Sequence, residues 1–178
     1  MGSSTSRQGS ISSRQGSSSC RSSRNRPLQV LLLGLDRAGK SSLIGHICGE
    51  GVRGLLPTRG FSISYLSMAG CPQPTFKVWD LGGGRDVRRY WSAYYRKAHS
   101  IVFVIDATDR RRLQEVSTTL QEILVDEVLR KLPLLVLANK QDLPNALKDY
   151  EVRELSPLAK ASQAAFLSRG VPLLNPLG

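Results

Sequence analysis

The stretch Gly34-Leu35-Asp36-Arg37-Ala38-Gly39-Lys40-Ser41 has the spacing GxxxxGK[ST]. Glycines at those places let successive backbone N–H groups wrap phosphate oxygens, and a following helix N-terminus adds a favourable dipole. Lys40 is then placed to reach the β- and γ-phosphates and the Ser41 hydroxyl to ligate Mg²⁺, which makes Lys40 a catalytic candidate as well. Gly34, Asp36, Arg37, Ala38, Gly39 and Ser42 complete the nucleotide-contacting candidates of this loop. Farther along, Trp79-Asp80-Leu81-Gly82-Gly83 closes a second apolar stretch. A carboxylate such as Asp80 there can hold the Mg²⁺ shell, and the Gly83 N–H can sense a γ-phosphate. A third group, Asn139-Lys140-Gln141-Asp142, follows Leu134 to Ala138. The Asp142 carboxylate can accept hydrogen bonds from guanine N1 and its 2-amino group, a pattern adenine does not offer. Asn139 can support the purine and the loop, and the Lys140 stem can cover the base. A site whose buried polar groups would be left unpaired rejects the wrong base strongly.

The elements that must carry these groups are legible in the apolar pattern. Leu28 to Leu33 is a continuous apolar run, the mark of a strand buried on both faces, and Lys40 to Cys48 reads as a helix. Phe61 to Leu66 alternates like a half-buried strand, and Thr75 to Trp79 pairs with it across Cys71-Pro72-Gln73-Pro74. Ile101 to Ile105 and Leu134 to Ala138 are further buried strands, and helical spacing joins Leu113, Val116, Leu120, Ile123, Leu124 and Val128 between Arg111 and Lys131. Alternating strands and helices predict an α/β fold around a mainly parallel sheet. A helix broken by Pro157 is expected over Val152 to Leu167.

Taken together, GLDRAGKSSL, PTRGF (57–61), WDLGG (79–83) and LANKQDLPNA (137–146) closely resemble the Arf and Arf-like small GTPases over about residues 28–150. LANKQDLPNA and the tryptophan of WDLGG favour that branch over Ras, Rab or Rho. The resemblance implies a P-loop, Ras-like small GTPase fold and a switch binding GTP or GDP with Mg²⁺. By the same resemblance Thr58 is the switch I residue that meets Mg²⁺ and the γ-phosphate, a metal and catalytic candidate beside Ser41 and Gly83. Phe61, Trp79 and Tyr94 stand where the family places an aromatic effector-binding cluster, with core packing as the other reading of those rings. Effectors, an exchange factor and a GTPase-activating protein are the implied protein partners, and membrane trafficking the implied setting.

Three departures modify that expectation. The family's water-orienting glutamine should follow Gly83, but position 84 is glycine, which predicts slow GTP hydrolysis. No SAK- or CAT-type guanine loop stands near Val171-Pro172, so the C-terminus reads as truncated, without the last strand and the terminal helix. The front has no amphipathic helix. A truncated pseudo-GTPase or interaction protein with impaired nucleotide binding is therefore the alternative, and an adenine-nucleotide enzyme is disfavoured by Asn139 and Asp142.

Composition sets the remaining bounds. The chain has 178 residues, 25 Lys plus Arg against 14 Asp plus Glu, and a formal charge of +11, which suggests anionic partners. Residues 1–26 hold Arg7, Arg14, Arg21, Arg24 and Arg26 with no acid and form an expected disordered tail. Residues 27–155 are the expected incomplete GTPase domain, and 156–178 a loosely ordered end. Met1-Gly2-Ser3-Ser4-Thr5-Ser6 fits the N-myristoylation pattern, making Gly2 a lipidation candidate. One acyl chain anchors only marginally, and the arginines or Cys20 would supply a second signal. Cys20, Cys48 and Cys71 lie apart, without metal-ligand spacing, and suit reduced thiols in the cytoplasm. No apolar run approaches the ~20 residues of a spanning helix, so the membrane contact expected is peripheral. Nothing marks a folded nucleic-acid groove. His46 and His99 read as structural, and Arg88 and Arg89 as a solvated face.

Overall fold

The computed structural model describes residues 26–49, 58, 60–67, 75–155 and 164–168. The expectations for the tail, Gly2 and Cys20, for the Cys71–Pro74 break and for a missing terminal helix fall outside those residues. The elements run β1 (Leu28–Leu33), α1 (Lys40–Ile47), β2 (Phe61–Leu66), β3 (Phe76–Leu81), α2 (Arg85–Arg88), α3 (Ser92–Tyr95), β4 (Ser100–Asp106), α4 (Leu113–Val125), β5 (Leu134–Asn139), α5 (Asp149–Glu154) and β6 (Ala165–Ser168). They form a six-stranded sheet in the order β2-β3-β1-β4-β5-β6. β2 pairs antiparallel with β3, as the alternating stretch predicts, and every other neighbouring pair is parallel.

Why the central strands read as unbroken apolar runs is visible in β1. Leu31 and Leu33 point into the larger core with Phe103, Ile105, Val136 and the buried face of α4. Val30 and Leu32 point the other way, onto Val78, Val104, Leu137 and Ile44 of α1. Both sets leave water, so Val30 to Leu33 is apolar on both sides, and the polar Gln29 is confined to the half-buried start of the strand. Helix α4 buries Val116, Thr119, Leu120 and Ile123, the i, i+3, i+4, i+7 stripe. It is shorter than the span expected from Arg111 to Lys131. Asp126 leaves the helical conformation, and its Oδ1 accepts the N–H groups of Val128 and Leu129, so a local side-chain turn replaces the next helical turn.

Two expectations are corrected at the far edge. The last strand is present: Leu135 to Ala138 of β5 pair with Ala165 to Ser168 of β6. A four-residue segment carries too little periodicity to be seen in sequence. What makes it a strand is the row of backbone groups offered by β5 together with Phe166, packed on the larger core. The helix expected over Val152 to Leu167 is corrected at its ends, since α5 runs Asp149–Glu154 and Ala165 to Leu167 belong to β6, while 156–163 lie outside the described residues. The first turn of α5 is set by Glu151 accepting the Lys148 N–H at 2.7 Å.

Phe103 is fully buried at the centre of β4. Its replacement by alanine is expected to lower unfolding free energy by about 3–5 kcal/mol, read from urea denaturation monitored by circular dichroism.

Candidate nucleotide site

The loop leaving β1 crosses β4 so closely that a Cβ on Gly34 would lie 2.2 Å from the Val104 carbonyl oxygen. Arg37 and Gly39 then take φ of 63° and 89°, turning the backbone around the start of α1. Lys40, 6% exposed, folds back over this loop and donates to the Gly34 and Leu35 carbonyls, each at 2.9 Å. Burial brings its ammonium down to about 8, against the opposing pull of Asp80 and Asp36. From the end of β5, Asn139 Nδ2 donates to the Ala38 carbonyl at 2.9 Å, tying the third motif to the first.

Ser41, Thr58 and Asp80 meet although they come from α1, the segment before β2, and β3. Ser41 Oγ and Thr58 Oγ1 are 2.9 Å apart, and Ser41 Oγ donates to Asp80 Oδ2. Asp80 is 2% exposed, and its Oδ1 has no hydrogen-bond partner among the described residues. Burial raises its carboxyl above the usual range, with the Ser41 hydroxyl and Lys40 working in the other direction. Two hydroxyls and one under-satisfied carboxylate are the hard oxygen set suited to Mg²⁺, which commonly takes one or two carboxylates and completes its shell with phosphates and water. The described residues contain no cluster of three or more His, Cys, Asp or Glu, so a cation held by acids alone does not fit. Ser42 follows in the first turn of α1, half-buried.

At the base end, Lys140 has φ 63° and its ammonium meets Asp106 Oδ2 at 2.5 Å. Burial would raise the Asp106 carboxyl, but hydrogen bonds from Lys140 and Thr108 outweigh it and hold it low. Asp142 is exposed two residues on, and Asn139 Oδ1 is buried without a partner among the described residues. Both ends of the site thus keep an acceptor open.

A model of the Arf (ADP-ribosylation factor) family matches residues 17–169. The chain belongs to the ADP-ribosylation factor family. ADP-ribosylation factor-like protein 3 of Caenorhabditis elegans is 41% identical over 132 residues, 74% of this chain and 71% of that protein. ADP-ribosylation factor-like protein 2 of Drosophila melanogaster is 39% identical over 148 residues, 83% and 79% of the two chains. The small GTPase Arl6 (BBS3) of Trypanosoma brucei, solved with the nucleotide analogue GppNp, superposes with a TM-score of 0.71 at 27% identity, covering 82% of this chain and 87% of that one. The fold is that of the Ras-like small GTPases, and membership of the Arf family implies a guanine-nucleotide-binding switch.

Within this Arf-family site, Gly83 packs against the phosphate loop, and a Cβ there would lie 2.3 Å from the Gly34 carbonyl oxygen. Gly84 is its opposite, with open space where a side chain would project. Phe61, Trp79 and Tyr94 form a closed triangle with ring centroids 5.5–5.6 Å apart. Trp79 is 9% exposed and Phe61 50%, so the cluster is partly core and partly surface.

Residues that sequence reasoning missed hold the loops in place. Arg112, at the start of α4, donates to the Asp36 carboxylate at 2.8 Å, to the Asp36 carbonyl at 3.0 Å and to Asp109 at 2.6 Å. It neutralises an acid that would otherwise face phosphate charge. The signal was present, since an aspartate inside a phosphate loop requires a countercharge. Arg88 is not solvated as expected: it is largely buried, bound to Glu115 and to Thr119 Oγ1 at 2.9 Å, with Arg85 on the same carboxylate. His46 lies exposed on the last turn of α1, and His99 Nδ1 accepts the Gln29 N–H.

Two outcomes follow from this geometry. Arg112→Ala should speed release of a fluorescent guanine nucleotide roughly tenfold or more, because Asp36 loses charge-assisted hydrogen bonds beside the phosphates. The empty loop keeps Lys40 charged only below about 8, whereas a bound phosphate favours the ammonium. Binding therefore takes up a proton above that pH, and affinity measured by titration should fall as pH rises past about 8.

Proposed function

We propose that this chain is a Mg²⁺-dependent GTP/GDP switch of the Arf-like type with slow intrinsic hydrolysis. The phosphates lie in the loop from Gly34 to Ser41, against the buried Lys40. The under-satisfied Asp80 carboxylate, beside Ser41 and Thr58, is the observation that carries the Mg²⁺ reading. Mg²⁺ there would offset the charge gathering on the β- and γ-phosphate oxygens. Asp142, with Asn139 steadying the loop through Ala38, selects guanine over adenine. Loss of the γ-phosphate would remove the contacts that order Thr58 and the segment from Gly83 to Tyr94, and so change the surface formed by Phe61, Trp79 and Tyr94 for effector proteins. An exchange factor and a GTPase-activating protein belong to the same reading, as do a cytoplasmic location with peripheral membrane contact and a trafficking role.

Slow hydrolysis rests on position 84. Its backbone, φ −65° and ψ 149°, suits any residue, and the space beside it is open. Nothing there orients an attacking water. Arg85, the next residue, is directed to Glu115, and its permanently charged guanidinium is unsuited to act as a base.

Protein purified with Mg²⁺ should release stoichiometric guanine nucleotide on acid treatment, displaced by GTP and not by ATP. An empty protein that takes up no GTP on titration would instead establish the pseudo-GTPase alternative. Single-turnover hydrolysis should rise on the order of tenfold or more in Gly84→Gln, because a positioned water reacts faster than a free one. An unchanged rate in that variant would remove position 84 as the cause.

A further inference from the structure

The nucleotide site occupies the C-terminal ends of the parallel strands. At the opposite ends, a crevice of about 580 Å³ is lined by Arg26, Leu28, Gln29, Arg96, Lys97 and His99. Its charge extends sideways. Lys77 sits beside Gln29 in the β1–β3 register. On the other flank the turn carrying Arg130 and Lys131 leads to Pro133, whose carbonyl accepts the Ile101 N–H at the start of β4. Cations therefore line the N-terminal ends of β3, β1, β4 and β5, four neighbouring strands with a front about 15 Å wide at ~4.8 Å spacing.

Six cations gather on this one edge without a carboxylate partner, whereas the other cations lacking one, Arg37, Arg89, Arg111 and Lys148, stand elsewhere on the described surface. Arg85, Arg88, Arg110, Arg112, Lys140 and Arg153 all have carboxylate partners. Arg26, Lys77, Arg96, Lys97, Arg130 and Lys131 have none among the described residues. Acids also stand near this edge: Asp126 and Glu122 act on Tyr95, next in sequence to Arg96, and Asp126 is engaged with the backbone N–H groups of Val128 and Leu129. Exposed apolar groups, Leu28 and Pro133, stand among the charges. The chain enters β1 from this end, preceded in sequence by Arg7, Arg14, Arg21 and Arg24 with no acid, and by a glycine-2 myristoylation pattern.

We infer that this edge of the sheet is a docking face for an anionic membrane surface, a second signal built into the folded domain itself. Cations with interspersed apolar side chains on an open edge match a plane of lipid headgroups, and a single acyl chain needs such a partner to anchor. A nucleic acid would call for a groove with stacking rings, and the rings nearest this edge, Trp79 and Tyr65, already lie under Lys77. Docked this way, the protein holds the nucleotide site and the loops around it away from the bilayer.

The test is co-sedimentation of the full chain with vesicles of phosphatidylcholine, with and without phosphatidylserine, at low and physiological ionic strength. Each basic residue at an anionic surface strengthens binding about fivefold. The triple variant R96E/R130E/K131E should therefore lose at least about 100-fold in binding to the anionic vesicles. The variant R89E/R111E/K148E has the same net charge and alters cations away from this edge, and should lose far less. Thermal unfolding followed by circular dichroism checks that both are folded. Should the triple variant fail to fold, Arg96→Ala and Lys131→Ala should each cost about fivefold. Patch variants that bind like the parent would overturn the proposal, as would equal losses in both triple variants or equal binding to neutral vesicles. Patch-dependent capture of a single-stranded RNA oligonucleotide in place of vesicles would overturn it too. No readout depends on bound nucleotide, so failure here is distinct from failure of the switch reading.

Discussion

A lysine ammonium buried under a loop of its own carbonyls is the constraint that orders this site. Burying an unpaired charge is costly, and Lys40 is tolerated because Gly34 and Leu35 accept from it while Asp80 and Asp36 supply opposite charge nearby. That arrangement needs β1 and β3 side by side, since Asp80 comes from β3. It needs the glycine crossing over β4 at Gly34. It also needs Arg112, without which Asp36 would compete with phosphate for the same space. The sheet order and the long apolar strands are the scaffold for one small cluster of charges.

Adjacent glycines at 83 and 84 answer to different demands. At 83 the phosphate loop is so close that a methyl group would collide with backbone, so glycine there is a packing necessity. At 84 there is open space and an ordinary extended backbone, so packing does not require glycine there. A dipeptide that looks uniform in sequence thus joins an obligatory residue to a dispensable one, and only the distances separate them.

Much of this was legible in the sequence because burial on both faces leaves a continuous apolar signature, as in Val30–Leu33 and Leu134–Ala138, and because phosphate and base motifs have fixed spacing. The family resemblance supplied Thr58, which no local pattern marks. β6 was missed because a short edge strand is made by the neighbouring backbone more than by its own side chains. Arg112 and Arg88 were missed for a different reason. Their partners lie 76 and 27 residues away, so each looked like one more surface charge in an arginine-rich chain. The end of α4 was placed too late because a single aspartate turn overrides helical periodicity without disturbing it.

Arg112 and Glu115 stand one turn apart at the head of α4, and each reaches into a different loop. One holds the phosphate loop through Asp36, the other holds α2 through Arg85 and Arg88. Neither loop can detach without uncovering charges on the same turn. In the language of local opening, the two loops and the head of α4 make one cooperative unit, with a common free energy of opening rather than separate ones. A protein that must reshape one loop while keeping the other closed has to do so by exchanging partners at Glu115, leaving the helix beneath it intact.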